Sequence, residues 1–97
     1  MSLPPGAAPY RRTDIFTEST VPAGLLKAHS TKAGTWGLIH VLEGQLAYRI
    51  EDPRRAAEET VLAPDTPPGV VEPTILHAVT PLGAVRFYVE FHKAAGD

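Results

Sequence analysis

Cysteine is absent from this chain of 97 residues, and its absence removes disulfides, thiolate nucleophiles and zinc–thiolate centres together. Only histidine, aspartate and glutamate remain as side chains that ligate a divalent ion. No apolar run approaches the ~20 residues that a membrane-spanning helix needs, so no membrane partner is expected. Basic charge is not in excess either: 9 Lys and Arg stand against 11 Asp and Glu, for a net charge of −2. Nucleic acid is excluded as a partner on that ground, because displacing counterions from phosphates takes a concentrated basic stripe. Arg11-Arg12 and Arg54-Arg55 are isolated pairs that read as solvated loop charge. The opening MSLPPGAAPYRR lacks the basic head and apolar centre of a secretory signal, and cytoplasmic residence is expected.

What is plentiful is proline and glycine, 10 and 8 residues spread along the whole length. They cut the chain into short pieces and leave no room for a long amphipathic helix. The rhythm is all-β. Leu46, Tyr48 and Ile50 recur at every second position, as do Val85, Phe87, Val89 and Phe91, the period of half-buried strands. Thr35 to Glu43 is apolar and β-branched, and Glu43-Gly44 after it predicts a hairpin into Leu46–Ile50. Further strands are predicted over Tyr10–Thr17, Gly24–Lys32, Glu59–Leu62, Gly69–Glu72 and Ile75–Val79. Pro53–Glu59 is the one helix candidate, too short to stand alone. About eight short antiparallel strands with turns between them predict a jelly-roll barrel or sandwich. One domain over positions 1–97 is expected, with an ordered core at about 10–92 and short flexible tails. A domain this small buries only about 60–65% of the surface its unfolded chain exposes, which favours a homodimer.

Two histidines stand out. His29, in Leu25-Leu26-Lys27-Ala28-His29-Ser30-Thr31, shares a strand face with Leu25, Lys27 and Thr31. His77, in Ile75-Leu76-His77-Ala78-Val79, is surrounded by apolar residues, where an imidazole needs a hydrogen bond or a metal. A strand histidine is either a hydrogen-bonded structural residue or a ligand, and the residues leave both open.

The segments PAGLLKAHSTKAGTWG, HVLEGQLAYRI, EPTILHAV and PLGAVRFYVEFH together resemble the TehB/YeaR-like small cupins, a group associated by name with tellurite resistance and nitrate response. The resemblance covers Tyr10 to His92. It implies a cupin-type double-stranded β-helix, a divalent metal inside it (zinc, iron, manganese or nickel) and a small-molecule ligand in a stress response. Cupins of the commonest type bind metal through a His-x-His pair, a glutamate and a later histidine. Here His29 and His77 match two of those positions, while Thr31 and Gly37 occupy the other two, and Pro81 stands where an asparagine often follows.

The register places Ile39 and Val41 inward and His40 outward. Glu90 is the remaining candidate for a third ligand. It shares a strand face with Arg86 and Tyr88 in an otherwise apolar segment, where a carboxylate needs a partner, either an ion pair with Arg86 or Lys27 or the metal. The metal set read from the chain is therefore His29, His77 and Glu90, with Lys27, Thr31, Arg86 and Tyr88 as contacts for an anionic ligand. The competing reading is a metal-free module that binds an organic molecule while its histidines serve as core residues. Whether the chain is an enzyme stays open. Trp36 reads as core or subunit contact, and Glu51-Asp52 and Glu58-Glu59 as solvated loop charge.

Overall fold

A computed structural model describes residues 2–94. Their strands are β1 (Ala8–Arg12), β2 (Phe16–Thr17), β3 (Thr35–Glu43), β4 (Leu46–Ile50), β5 (Glu58–Leu62), β6 (Gly69–Val71), β7 (His77–Pro81) and β8 (Arg86–Lys93). They form two sheets in which every pair is antiparallel. One runs β1-β8-β3-β6, with β2 also against β8, and the other runs β5-β4-β7. The all-β expectation holds, as two facing antiparallel sheets and not as a closed barrel: β5 and β6 are edges that do not pair with each other. Among the described residues no helix is long and apolar enough to cross a membrane. The flexible tails expected at either end include positions 1 and 95–97, which lie outside the described residues.

Alternation sets the inner face. Along β3, Thr35, Gly37, Ile39 and Val41 are buried while Trp36, Leu38 and His40 are half-buried on the other side. The ladder to β8 pairs Gly37 with Phe91, Ile39 with Val89 and Val41 with Phe87, so these partners share the inner face. Phe87, Ile39, Leu46, Val71 and Val85 are sealed between the sheets. They supply the apolar burial that holds so small a domain together.

The turn at Glu43-Gly44 is not a hairpin. β3 and β4 belong to different sheets, and the chain crosses between them there. Gly44 has φ +76°, and a Cβ on it would lie 2.0 Å from the Ala84 carbonyl oxygen, so this corner needs glycine for conformation and for space. Leu82 N donates to Gln45 O at 3.1 Å and ties the corner to the β7–β8 turn.

Three other segments depart from the strands expected of them. Gly24–Lys32 begins in a 3-10 turn over Ala23–Leu26, opened by Pro22, and only His29 then pairs with a strand. Tyr10–Thr17 splits into β1 and β2 because Thr13 intervenes: its N–H donates to Val89 O at 2.9 Å, and its hydroxyl accepts from Val89 N at 3.0 Å. The hydroxyl takes the place of a ladder carbonyl. Pro53–Glu59 forms a turn and then β5, with no helix, because Asp52 captures the backbone N–H of Arg54 at 2.8 Å.

Candidate functional site

His29 and His77 meet. Their backbones exchange two hydrogen bonds, each 2.9 Å, and their rings lie 4.1 Å apart between centroids. His29 Nδ1 is 2.8 Å from Lys27 O, and His77 Nδ1 is 3.0 Å from Ile75 O. A carbonyl oxygen only accepts, so both Nδ1 atoms carry the proton and both Nε2 atoms keep an unshared electron pair. Burial holds His77 neutral, its pKa below the ordinary imidazole value; the bond to Ile75 O opposes this shift, and the nearby His29 reinforces it.

The two rings wall a cavity of about 260 Å³ between the sheets. Val89, Phe91 and Phe87 face them from β8, Thr31 and Ser30 from the His29 segment, and Thr13 from the break between β1 and β2. The cavity is thus an apolar chamber with two imidazole acceptors and a few hydroxyls. Thr31 is held in place by a 2.7 Å bond from its own hydroxyl to Thr35 O.

His77 is positioned from behind by Asp52, which the sequence reading placed in solvent. The structure corrects this: Asp52 is 5% exposed. Its Oδ2 accepts from Leu76 N at 2.9 Å, and both its oxygens accept from the Arg54 side chain, at 2.9 and 2.8 Å. Arg54 first, and then the Leu76 and Arg54 backbone N–H groups, hold the Asp52 carboxyl well below the usual carboxylate range. Arg54 also donates to Thr74 O at 2.6 Å, and Thr74 N donates to Thr31 O at 3.0 Å. Thr74 sits at φ +66°, a strained setting for a β-branched residue, and these bonds on both sides hold it there. An Asp two residues before an Arg, at a proline turn, is the sequence signal for such a staple, and the reading of Glu51-Asp52 as solvated loop charge passed over it.

Glu90 does not join the histidines. Val89 and Phe91 point inward to the cavity, so Glu90 between them points out through the other face of the sheet. There its Oε1 accepts from His92 Nε2 at 2.7 Å and lies 3.6 Å from His40 Nε2. The His92 bond holds the Glu90 carboxyl below its ordinary value. Tyr88 stacks on His40 at 4.8 Å on that outer face, with Arg12 5.0 Å above its ring. Arg86 is exposed and pairs with Glu43 at 3.5 Å. Lys27 reaches the site only through its carbonyl. The expected residues therefore divide: His29, His77 and Thr31 come together, while Glu90, Arg86, Tyr88 and the Lys27 side chain do not line the cavity. Ser30, Thr13 and Phe91, which also line it, carried no signal in the sequence beyond strand parity.

A divalent metal held by His29, His77 and Glu90 is overturned by this arrangement. Among the described residues the cavity wall has no carboxylate, and no group of three or more His, Cys, Asp or Glu side chains is placed to hold an ion. The β8 register explains why: the greasy side of the strand, not its charged side, faces the histidines.

A family model described as the TehB-like domain matches residues 11–89. A Haemophilus influenzae protein named probable S-adenosyl-L-methionine-dependent methyltransferase TehB is 31% identical over 74 residues, 75% of this chain and 26% of that protein. Its counterpart in a second strain of that species is 30% identical over the same length and the same shares. The chain spans about a quarter of the length of these curated relatives. The crystal structure of TehB from H. influenzae superposes with a TM-score of 0.82 at 26% identity, covering 90% of this chain and 31% of that one. A crystal structure of a protein from Escherichia coli K12 superposes with a TM-score of 0.83 at 21% identity, over 97% of both chains, and shows the same fold. The curated relatives' names correct the expected function. They are methyltransferase names, where a metal-binding cupin of a tellurite or nitrate response was expected.

Proposed function

Because the chain belongs to the TehB-like domain family, we propose that it serves S-adenosyl-L-methionine-dependent methyl transfer as a binding module, its histidine chamber holding a small protic molecule. Family membership and the relatives' names support the link to methyl transfer. The observation that carries the binding role is the pair of Nδ1-protonated imidazoles 4.1 Å apart in a chamber otherwise largely apolar. Each Nε2 accepts a hydrogen bond from an O–H or S–H, and an apolar wall takes the rest of the molecule. Thr31 adds a hydroxyl beside them. A bond from the ligand's O–H to a neutral imidazole also raises electron density on its oxygen, which is what a methyl acceptor requires.

The cofactor in the relatives' names does not fit this chamber. S-Adenosyl-L-methionine carries an ammonium, a sulfonium and a ribose diol, groups that call for carboxylates, and among the described residues the chamber wall has none. Its volume of about 260 Å³ is also below the roughly 300–1,000 Å³ usual for ligand pockets. Nor do the described residues offer the parallel strands and helix N-terminus of a doubly wound cofactor crevice. No step of methyl transfer is placed on this chain's chamber; its share is to bind and orient.

We read the two sheets as an open variant of the cupin-type double-stranded β-helix, built as one domain over the chain, and we place the protein in the cytoplasm as a homodimer. The half-buried outer row Trp36, Leu38 and Tyr88 supports pairing of two copies, and a sedimentation mass of 10.4 kDa alone would remove the dimer. The chamber is tested by nuclear magnetic resonance with phenol and its methyl ether, anisole. Phenol is expected to shift the Nε2 resonances of His29 and His77 and to lose its binding in His77→Phe. Equal binding of anisole, or phenol binding that ignores His77→Phe, overturns the proposal.

A further inference from the structure

Beyond the Tyr48 ring, which packs edge-on against His77 with centroids 5.8 Å apart, the sandwich gapes. The register of β5 against β4 pairs Glu58 with Ile50, Thr60 with Tyr48 and Leu62 with Leu46, so Glu58, Thr60 and Leu62 all project toward the space between the sheets. Leu62 is buried there, as an inward residue should be. Glu58 and Thr60 are exposed, because the facing edge strand β6 does not close over them. A strand whose inward row turns from leucine to threonine to glutamate lines a wet opening and not a core.

The opening is a cleft of about 570 Å³, within the range of small-molecule sites. One wall is apolar, with Leu62, Ile75 and the buried ring of Tyr48; Gly69 keeps the floor low, since a Cβ there would lie 2.7 Å from Leu62 Cδ1. Tyr48 is fixed across the cleft by a 2.8 Å bond from its hydroxyl to Val70 O, so its ring is a rigid surface. The charged residues on the wall are Arg55, Glu58 and Glu72. Arg55 is already paired with Glu72, and Glu58 has no ion-pair partner among the described residues. The cleft therefore carries one negative charge in excess. Burial pushes the Tyr48 phenol upward, and the charges of Glu58 and Glu72 push it further, as a negative field in the cleft requires.

We propose that this cleft binds an organic cation, an ammonium or sulfonium on an apolar body, with Glu58 receiving the charge and Tyr48, Leu62 and Ile75 the body. An anion is disfavoured there because Arg55, the only wall cation among the described residues, is spent on Glu72. A sulfonium is the charge centre of the cofactor in the relatives' names, and an amine is the other source of the same chemistry. The site adjoins the histidine chamber across the Tyr48–His77 contact but shares no lining residue with it, so a failure to bind cations leaves the phenol test of that chamber standing.

Isothermal titration of the full chain decides between these sources. The probes are 2-phenylethylammonium against neutral 2-phenylethanol, and S-adenosyl-L-methionine against neutral S-adenosylhomocysteine. At least one cation is expected to bind about tenfold more tightly than its neutral counterpart, to weaken about tenfold in Glu58→Gln, and to weaken as salt is raised. Preference for the ammonium alone names an amine, and preference for S-adenosyl-L-methionine names a sulfonium. The Tyr48 ring, read by its proton resonances, shifts with the bound cation and reports that Glu58→Gln is folded. Neutral and charged probes binding alike, a folded Glu58→Gln that binds the cation as well as the parent, or no binding by either cation overturns the assignment.

Discussion

Two histidines face the inner side of the β3–β8 ladder, from β7 and the segment bridged to it, two more stand on its outer side, and the two pairs live in opposite electrical settings. Inside, His29 and His77 line an apolar chamber, donate through Nδ1 to backbone carbonyls and share that chamber with no carboxylate of the described residues. Outside, His40 and His92 flank Glu90, with Tyr88 stacked on His40 and Arg12 over the Tyr88 ring. The inner pair turns its Nδ1 atoms to backbone carbonyls and its rings to an apolar chamber, with His77 held neutral by burial. The outer pair is a charge cluster that saturates itself through Glu90, except at His92 Nδ1 and His40 Nε2, which are buried without a hydrogen-bond partner. The same residue type thus does different work depending on whether its strand neighbours are valine and phenylalanine or glutamate and tyrosine.

The largest difference between the faces is packing. Phe87 is fully buried at the inner end of the ladder and lines the chamber, so Phe87→Ala is expected to lower stability by about 3–5 kcal/mol and to abolish phenol binding. Urea unfolding followed by tryptophan fluorescence measures the first. A loss below about 1 kcal/mol, the size of a surface substitution, would mean the inner face is not the core.

Acid separates the faces next. His77 is held neutral by burial, its folded pKa below the ordinary value of about 6.5. Above that value neither state binds the proton and stability is full; as pH falls below it the unfolded chain takes the proton first, and stability is lost until the folded pKa is passed. Glu90, whose carboxyl is lowered by its bond to His92, acts in a lower window. Its contribution is present above the ordinary glutamate value of about 4.3 and disappears as pH falls from there through the folded pKa. Thermal unfolding from pH 8 to pH 3 should show both declines. His77→Phe should flatten the upper one and Glu90→Gln the lower one; a single variant that removes both would show that the faces titrate as one unit.

Much of this contrast was written in strand parity. Ile39 and Val41 inward, His40 outward, and the separation of Val89 and Phe91 from Glu90 all follow from period two, and the structure keeps every one of them. What parity does not carry is which side of β8 faces His29 and His77. Glu90 looked like a ligand because a carboxylate in an apolar strand needs a partner, and its partner is His92, two residues along the same strand. The corner at Gly44 was misread for a related reason. A glycine turn between two strands is compatible with a hairpin or with a crossing between sheets, and the crossing depends on partners far along the chain, such as Ala84, whose carbonyl oxygen a Gly44 Cβ would meet at 2.0 Å. Asp52 was hidden in the same way, its Leu76 partner being distant in the chain and near only in the fold.

The smallest expected effect sharpens the comparison most directly. Tyr88 was expected to touch a ligand, and the structure seats it on the outer face, its ring stacked on His40 and under Arg12. Removing only its hydroxyl keeps both ring contacts, because stacking and cation–π attraction belong to the aromatic face. Tyr88→Phe should therefore change stability by less than about 0.5 kcal/mol and leave phenol binding at the parent level. Tyr88→Ala, which does remove the ring, should cost about 0.5–1.5 kcal/mol and still leave phenol binding intact. If either variant weakened phenol binding, the outer face would be part of the ligand site, and the division of labour between the two histidine pairs would fall.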